Sequence, residues 1–596
     1  MSETSDRRSE EFLRASGQFK LGALVTESSH PLTANLSDVA RADVVKALDL
    51  LFQVDGDVVR RFREFVEARQ ADPIVETVVA SIANGGKLFF TGCGATGRLS
   101  ILLVSIWREF WAKRNQPEFE QRAFSVMAGG DFALIKSVEG FEDFAAFGQK
   151  QLAGLGVSSG DVVFAITEGG ETSFVIGTAW KGVEAGAKVF FVYNNPDDVL
   201  CEHVERSREV IRDARIERIN LTTGPMAITG STRMQATSIQ LCVLITVLEM
   251  VVRRLSGESP LQVAGIPAQF LEGLESLHAT LRSPALLEQL AELVKLEESV
   301  YRSGRKNSYL ADRFGIDVLT DTTERSPTYC TPPFRRCDDP KAAESWSFLF
   351  VPEAASCEAW RNILKREPQC IDWAEPEVLE LVGAERLQKT MDTLRRIRGD
   401  DLLSFRIGQD GLDLRKPLAG DSAIVVVAAE ELEKHFAAGG FFRERLSAAA
   451  EAGAACAMIL VGDGDDSTIQ SEIRRVRLPI PANTFLLDGL SRVGLKLLLN
   501  ALSTCTMVRL GRVMGNYMIW VVATNLKLID RATRYIQRLA GLTYADANRL
   551  LFEAIEYVEP RMKTDQSYPP VVGLAVLRAR YRLSNEQAEQ RLSTVE

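Results

Sequence analysis

Short, wholly apolar runs alternate with longer segments whose apolar positions recur every three to four residues, and the alternation repeats along most of the chain. Such runs read as buried strands and such segments as helices packed on one face. The pattern predicts strands at 88–90, 161–167, 188–193 and 216–221. It predicts helices at 99–111, 173–185 and 231–254, after a helical region at roughly 46–84. Strands separated by helices give a parallel sheet covered on both faces, an α/β fold.

A second alternating region follows, with its clearest strands at 316–319, 423–428 and 457–461. Gly453 stands just before the last of these, as Gly186 stands before Lys188. The spacing of 423–427 and 458–461 repeats that of 162–166 and 189–192, so a duplicated α/β unit with a drifted second copy is expected. Beyond 490 helical periodicity dominates, broken at Gly511, Gly515 and Gly541. The expected division is a polar N-terminal arm (1–45), a first α/β domain (46–255), a helical connector (256–295), a second α/β domain (296–489) and a C-terminal helical region (490–596).

Composition is that of a globular protein: 596 residues, 46% hydrophobic and 25% charged, with a formal net charge of −10. That balance argues against nucleic acid or an anionic membrane as partner. Nine cysteines are scattered with no CxxC pair, which fits reduced thiols in a cytoplasmic protein. Four histidines, well separated in sequence, argue against a zinc or Ser-His-Asp centre, and neither metal nor cofactor is expected. The polar start of the chain does not read as a secretory leader. The most apolar helix, 241–252, carries Glu249 and is too short for a membrane span.

In open parallel sheets ligands bind beyond the carboxyl ends of the strands, and three loops of the first unit fall there. Gly92-Cys-Gly-Ala-Thr-Gly-Arg98 ends the first strand and opens a helix. Its glycines, the helix N-terminus and the Thr96 hydroxyl suit an anion such as phosphate. Thr167-Glu-Gly-Gly-Glu-Thr-Ser173 offers hydroxyls and glycines before another helix. Thr229-Gly-Ser-Thr-Arg-Met234 adds Arg233, which can make charge-assisted contacts. Each loop alone is compatible with capping and turn chemistry; three together point to a phosphate site. Glu168 and Glu171 would repel a phosphate unless they point away or bind sugar hydroxyls. Glu139 and Glu142, spaced i, i+3, would share a helix face. They can bind hydroxyls or supply a general base, or simply form an acidic first turn.

These residues resemble a known family. The first unit looks like a sugar isomerase (SIS) domain and is similar, more narrowly, to the N-acetylmuramic acid 6-phosphate etherases and the glucokinase regulatory proteins. The resemblance runs through Glu27-Ser-Ser-His-Pro-Leu-Thr33, residues 92–99, Ala128-Gly-Gly130 with 139–143, and Gly224-Pro225 with 229–234. It resumes at Leu499-Asn-Ala-Leu-Ser-Thr504, Arg509-Leu-Gly-Arg-Val-Met-Gly-Asn516 and Ala523-Thr-Asn-Leu-Lys527, while 260–480 matches poorly. It implies two SIS-type domains and a C-terminal helical lid, the layout of the regulatory proteins; the etherases are single-SIS chains that pair. It further implies a sugar-phosphate site at Gly94, Ala95, Thr96, Thr167, Gly169, Thr232 and Arg233. Glu142 would contact the sugar or act as base, and Asn525 and Lys527 would reach the ligand from the lid.

Three departures bear on activity. The etherase run Asp-Ala-Ser-Glu, whose glutamate is the proposed general acid, aligns with Leu103-Val-Ser-Ile106. A similar run, Asp321-Thr-Thr-Glu-Arg-Ser-Pro-Thr-Tyr329, occurs in the second domain, with Glu324 as the matching carboxylate. Gln235 replaces a lysine after the Ser/Thr-Arg turn, and Glu171 replaces a neutral or basic residue. The resemblance therefore implies a hexose-phosphate sensor that moves its lid, with a sugar kinase or another enzyme as its partner. The alternative is a carbon–oxygen lyase using Glu142 as base and an acid such as Glu324, and an aldose–ketose isomerase is a third, weaker reading.

Overall fold

The computed structural model describes residues 3–15, 21–138, 140–467, 469–521, 523, 526–563 and 568–593. Two five-stranded sheets organise the chain. The first contains β1 (Leu88–Gly92), β2 (Ala123–Met127), β3 (Val162–Ile166), β4 (Lys188–Tyr193) and β5 (Ile216–Asn220), in the order β2-β1-β3-β4-β5. The second contains β6 (Asn307–Ala311), β7 (Ser347–Phe350), β8 (Ser422–Ala428), β9 (Ala455–Val461) and β10 (Arg474–Leu478), in the order β10-β9-β8-β6-β7. Read from β7, the second order repeats the first, and every pairing in both sheets is parallel. The duplicated α/β architecture expected from the spacing is therefore present.

Register explains the tight centre of the first sheet. Phe90 pairs with Phe164 and Phe164 with Phe190, and the three rings stack at 5.3 and 5.0 Å between centroids. Such aromatic ladders contribute about 0.5–1.5 kcal/mol per pair beyond their buried area. The edge strand β5 instead exposes Glu217 and Arg218, which blunts a sheet edge.

The strand expected at 316–319 is not a strand. Those residues begin the helix Gly315–Tyr329, where buried Asp317 pairs with Arg492. The true strand, Asn307–Ala311, starts with a polar pair, and Asn307 is satisfied by Glu297 at 2.9 Å. Its apolar run is thus too short to stand out. β2, interrupted by Ser125, and β10, interrupted by Arg477, escape the pattern for the same reason, whereas the apolar run at 348–351 marks β7 and is absent from the strands expected above.

One described helix, Gln235–Leu255, is long and apolar enough to cross a membrane, and its apolar stretch through Val252 is buried in the protein. It packs against the helices Val44–Glu67 and Gly489–Arg509. Its buried Glu249 accepts the backbone N–H groups of Leu486 and Leu487 at 3.0 Å and an Arg253 contact at 2.7 Å. The N-terminal segment is also folded in. Buried Glu27 takes Arg531 at 2.5 Å and Arg534 at 3.2 Å from the helix Leu526–Ala540. The two lobes meet where the helix Ala95–Ala112 of the first packs on Gly315–Tyr329 of the second.

Candidate functional site

The carboxyl ends of β1 and β3 deliver two loops to one place. After β1 the chain turns through Cys93, Gly94 and Ala95 into the helix Ala95–Ala112. Gly94 has φ 57° and ψ −123°, a conformation open only to glycine. The turn aims the unbonded first-turn N–H groups of the helix at the loop, the arrangement that receives an anion. The Thr96 hydroxyl braces this turn. It accepts from the Cys93 N–H at 3.1 Å and donates to the Cys93 carbonyl at 2.9 Å, and Thr96 is fully buried. Cys93, Gly94 and Ala95 keep partial exposure.

The loop after β3 is built in the same manner. The buried Thr167 hydroxyl accepts from the Gly170 N–H at 3.2 Å and lies 3.1 Å from the Thr172 hydroxyl. The Gly169 carbonyl accepts from Asn195 at 2.8 Å. Thr96 and Thr167, two of the three threonines expected to hold phosphate, thus spend their hydroxyls on loop shape. A Cβ on Gly169 would lie 1.9 Å from Glu171 Oε2, so glycine is what lets the Glu171 carboxylate lie against the loop.

Charged groups converge around this pair of loops. Lys527, from the helix Leu526–Ala540, bonds Glu171 Oε1 at 2.8 Å. The other oxygen of Glu171 is buried without a hydrogen-bond partner. Glu142 is half-buried, with Oε2 4.0 Å from the Cys93 thiol. Burial alone would depress the Lys527 pKa; the Glu171 and Glu142 carboxylates outweigh it and hold the ammonium above its ordinary value. Burial also pushes the Glu168 carboxyl up to about 8, with Glu324 and Glu171 acting in the same direction against Lys527. Burial, together with Glu142 and Glu168, raises the Cys93 thiol well above its usual range, so it is no nucleophile at neutral pH.

A cleft of about 620 Å³ opens from this place, with Asp143, Ser173 and Lys527 in its wall. Glu139 and Asn525 lie outside the described residues. Thr232 is half-buried beside Arg233. Arg233, expected at a phosphate, is committed elsewhere. Its guanidinium reaches Asp321 at 3.3 Å, Ser503 at 2.9 Å and Thr504 at 3.2 Å, all beyond the first sheet. Sequence spacing could place Arg233 next to hydroxyls but could not show that the second lobe supplies it with a carboxylate.

Residues 71–180 match the family model of the glucokinase regulatory protein N-terminal SIS domain. An N-acetylmuramic acid 6-phosphate etherase of Serratia proteamaculans is 31% identical over 228 residues, 38% of this chain and 68% of that protein. One from a Picosynechococcus species is 31% identical over 247 residues, 41% of this chain and 75% of that protein. The chain belongs to the SIS family of these etherases and of the glucokinase regulatory proteins. Among solved structures, tagatose-6-phosphate ketose/aldose isomerase from Escherichia coli superposes over 80% of this chain and 95% of its own, at 8% identity and a TM-score of 0.41.

Within this family the chain's departures acquire positions. Ile106, in place of the etherase acid, is a buried core residue. Gln235, in place of a lysine, is fully buried; it donates to Asp55 at 2.7 Å and accepts from the Ala227 N–H at 3.0 Å. Glu324 extends from the second lobe to the fully buried Arg98 at 2.5 Å, joining the lobes directly behind the phosphate-type loop.

The corresponding end of the second sheet is filled. Asp312, after β6, takes Lys434 at 2.6 Å and His435 at 2.8 Å on one oxygen, and Arg313 pairs with Glu430 and Asp488. Asp312, Glu431 and His435 bring possible ligand atoms within 4.8 Å of one another. The Lys434 ammonium on the shared Asp312 oxygen makes this an ion-pair plug.

Proposed function

We propose that the first lobe is a sugar-phosphate site with the equipment of an etherase-type carbon–oxygen lyase. What supports this reading is the convergence of Glu142, Glu168 and Lys527 on the Cys93 loop, with one carboxyl held protonated to about pH 8. The phosphate rests on the N–H groups at Gly94, Ala95 and Thr96. The unpartnered Glu171 oxygen accepts a sugar hydroxyl, and Lys527 orients that carboxylate. Thr167 and Gly169 shape the second loop, while Arg233 positions the lobe interface.

In the open-chain sugar, Glu142 removes the proton next to the aldehyde, and the carbon–oxygen bond one carbon further on breaks. The departing alkoxide takes its proton from Glu168. Water then adds across the new double bond, so that lactate and the sugar phosphate are the products of a lactyl ether. Glu168 supplies the proton that Ile106 cannot. Glu324 remains with Arg98 as a structural partner.

A specific observation keeps the sensor reading alongside. Lys527 ties a C-terminal helix to Glu171 inside the site, so ligand binding bears directly on the position of that helix. Thermal shift against N-acetylmuramic acid 6-phosphate, fructose 6-phosphate, fructose 1-phosphate and glucosamine 6-phosphate separates the readings, with lactate assayed in the same wells. A ligand at 100 times its Kd adds about 2.7 kcal/mol of stability. The expected result is stabilisation with lactate release. Stabilisation without lactate leaves the sensor, and no response to any of the four removes both.

Gly169→Ala tests the sugar side of the site. The added Cβ drives the Glu171 carboxylate from Lys527. Affinity for the stabilising sugar phosphate is expected to fall about tenfold by titration calorimetry. Unchanged affinity would remove Glu171 from the site.

A further inference from the structure

The cleft that leads out of the site has a wall the chemistry above leaves unused. Its far side is the helix Ala384–Leu394 of the second lobe, which presents Arg386 and Lys389. Four basic residues, Arg206, Arg386, Lys389 and Lys527, line the cleft against Asp143 alone among the described acids, in a chain of net charge −10. Arg206 and Lys527 already serve Glu171, through its carbonyl at 2.5 Å and its carboxylate at 2.8 Å. Arg386 and Lys389 are exposed and belong to no ion pair among the described residues; the Arg386 guanidinium lies 5.2 Å from the Phe144 ring centre.

The position of this wall is fixed by contacts just upstream. Lys150 of the first lobe meets Glu377 at 2.5 Å, and Trp373 packs at 5.9 Å on Phe141 and 5.4 Å on Phe147. The basic pair therefore faces the first lobe across an aromatic floor. The volume, about 620 Å³, lies within the range of small-molecule sites. Two cations outside any described ion pair, in the same cleft as Ser173 and Lys527, match a second negative charge on a ligand that reaches into it.

We propose that Arg386 and Lys389 form a second anion subsite, which selects sugar phosphates bearing another anionic group that extends past Lys527 into this cleft. This inference rests on the sugar-phosphate reading of the first lobe. That group is a carboxylate or a second phosphate; both present oxygens to a guanidinium and an ammonium. A ligand seated at both ends joins the two lobes, which a singly charged sugar phosphate does not do.

The test is titration calorimetry of the full chain with two matched pairs of probes. N-acetylmuramic acid 6-phosphate is compared with N-acetylglucosamine 6-phosphate, and fructose 1,6-bisphosphate with fructose 6-phosphate. The wild type is expected to favour the doubly charged member of one pair by about tenfold or more. Arg386→Gln with Lys389→Gln, which keeps the apolar stems, should abolish that preference while leaving the singly charged member within about twofold. The pair that responds identifies carboxylate or phosphate. Equal affinity within both pairs for the wild type, or equal weakening of both members by the double variant, overturns the subsite. Failure of the wild type to bind any of the four overturns the first-lobe reading as well. Binding with the expected preference but without lactate release removes the lyase chemistry and leaves the subsite standing.

Discussion

Glu142→Gln is expected to lower lactate release from N-acetylmuramic acid 6-phosphate by about 10²–10⁴, with the sugar-phosphate Kd changed by less than about threefold. The amide keeps the shape of the side chain and its place beside Cys93 but cannot take a proton from carbon. Glu142 is also anchored through its backbone, since its carbonyl accepts the Phe174 N–H at 3.0 Å at the start of the helix Ser173–Glu184. The loop should therefore hold its conformation in the variant. Single-turnover rates and calorimetric affinities measured on the same preparation separate the roles. A fall in rate at constant affinity identifies a base. A fall in affinity alone identifies a sugar contact and favours the sensor. An unchanged rate moves the base to another group, with neighbouring Asp143, whose pKa is raised by burial and by Glu142, the first to examine.

Local features of this site were legible in the sequence because they depend on neighbours in the chain. The glycines and hydroxyls of 92–98 and 167–173 describe strand-to-helix turns, and the turns are there. Their use differs in detail: Thr96 and Thr167 close the loops on themselves, so the proposed anion site relies on backbone N–H groups. Long-range features were not legible. Glu168 looks like an ordinary loop acid until Glu324, Glu171 and Lys527, distributed over 360 residues of sequence, surround it. Arg233 reads as a phosphate ligand until Asp321 and Ser503 arrive from the second lobe. Ile316 and Leu319 read as a strand because helix and strand share short apolar runs, and only the parallel partner of β6 decides between them.

The duplication bears on why the proposed site lies in the first lobe. Both sheets have the same strand order, so each offers a place at its carboxyl edge. In the first lobe that edge carries glycines and a helix N-terminus, with Cys93, Gly94 and Ala95 partly exposed. In the second it carries Asp312, Arg313, Lys434 and His435 paired with one another or with nearby acids. A charged plug of that kind gives up an anion site and contributes to the lobe's own cohesion. The second lobe then serves the first through Glu324 on Arg98, Asp321 on Arg233 and the basic wall at Arg386 and Lys389.

Glu168→Gln is expected to cost about 10²–10⁴ in rate and to remove the alkaline limb of the pH profile. Burial pushes the Glu168 carboxyl up to about 8, so in the proposed chemistry the acid is protonated at neutral pH and spent above that value. Wild-type turnover should fall about tenfold per pH unit above that value, and the variant's residual turnover should not. Stability carries the same signature with a definite sign. The folded-state pKa lies above the ordinary 4.5, so the stabilising contribution of the protonated group is complete below 4.5 and is lost as pH rises through about 8. Asp317 and Asp55, pushed up to about 6 and about 7 by burial, titrate in the same window. The informative quantity is therefore the wild-type-minus-variant difference in urea denaturation at pH 6 and pH 9, which should shrink as the wild-type carboxyl ionises. Glu324→Gln serves as the control. It weakens the contact with Arg98 but leaves the donor in place, so the alkaline limb should survive in it. If the limb persists in Glu168→Gln and vanishes in Glu324→Gln, the proton comes from the second lobe, and the two lobes share one active site in the literal sense.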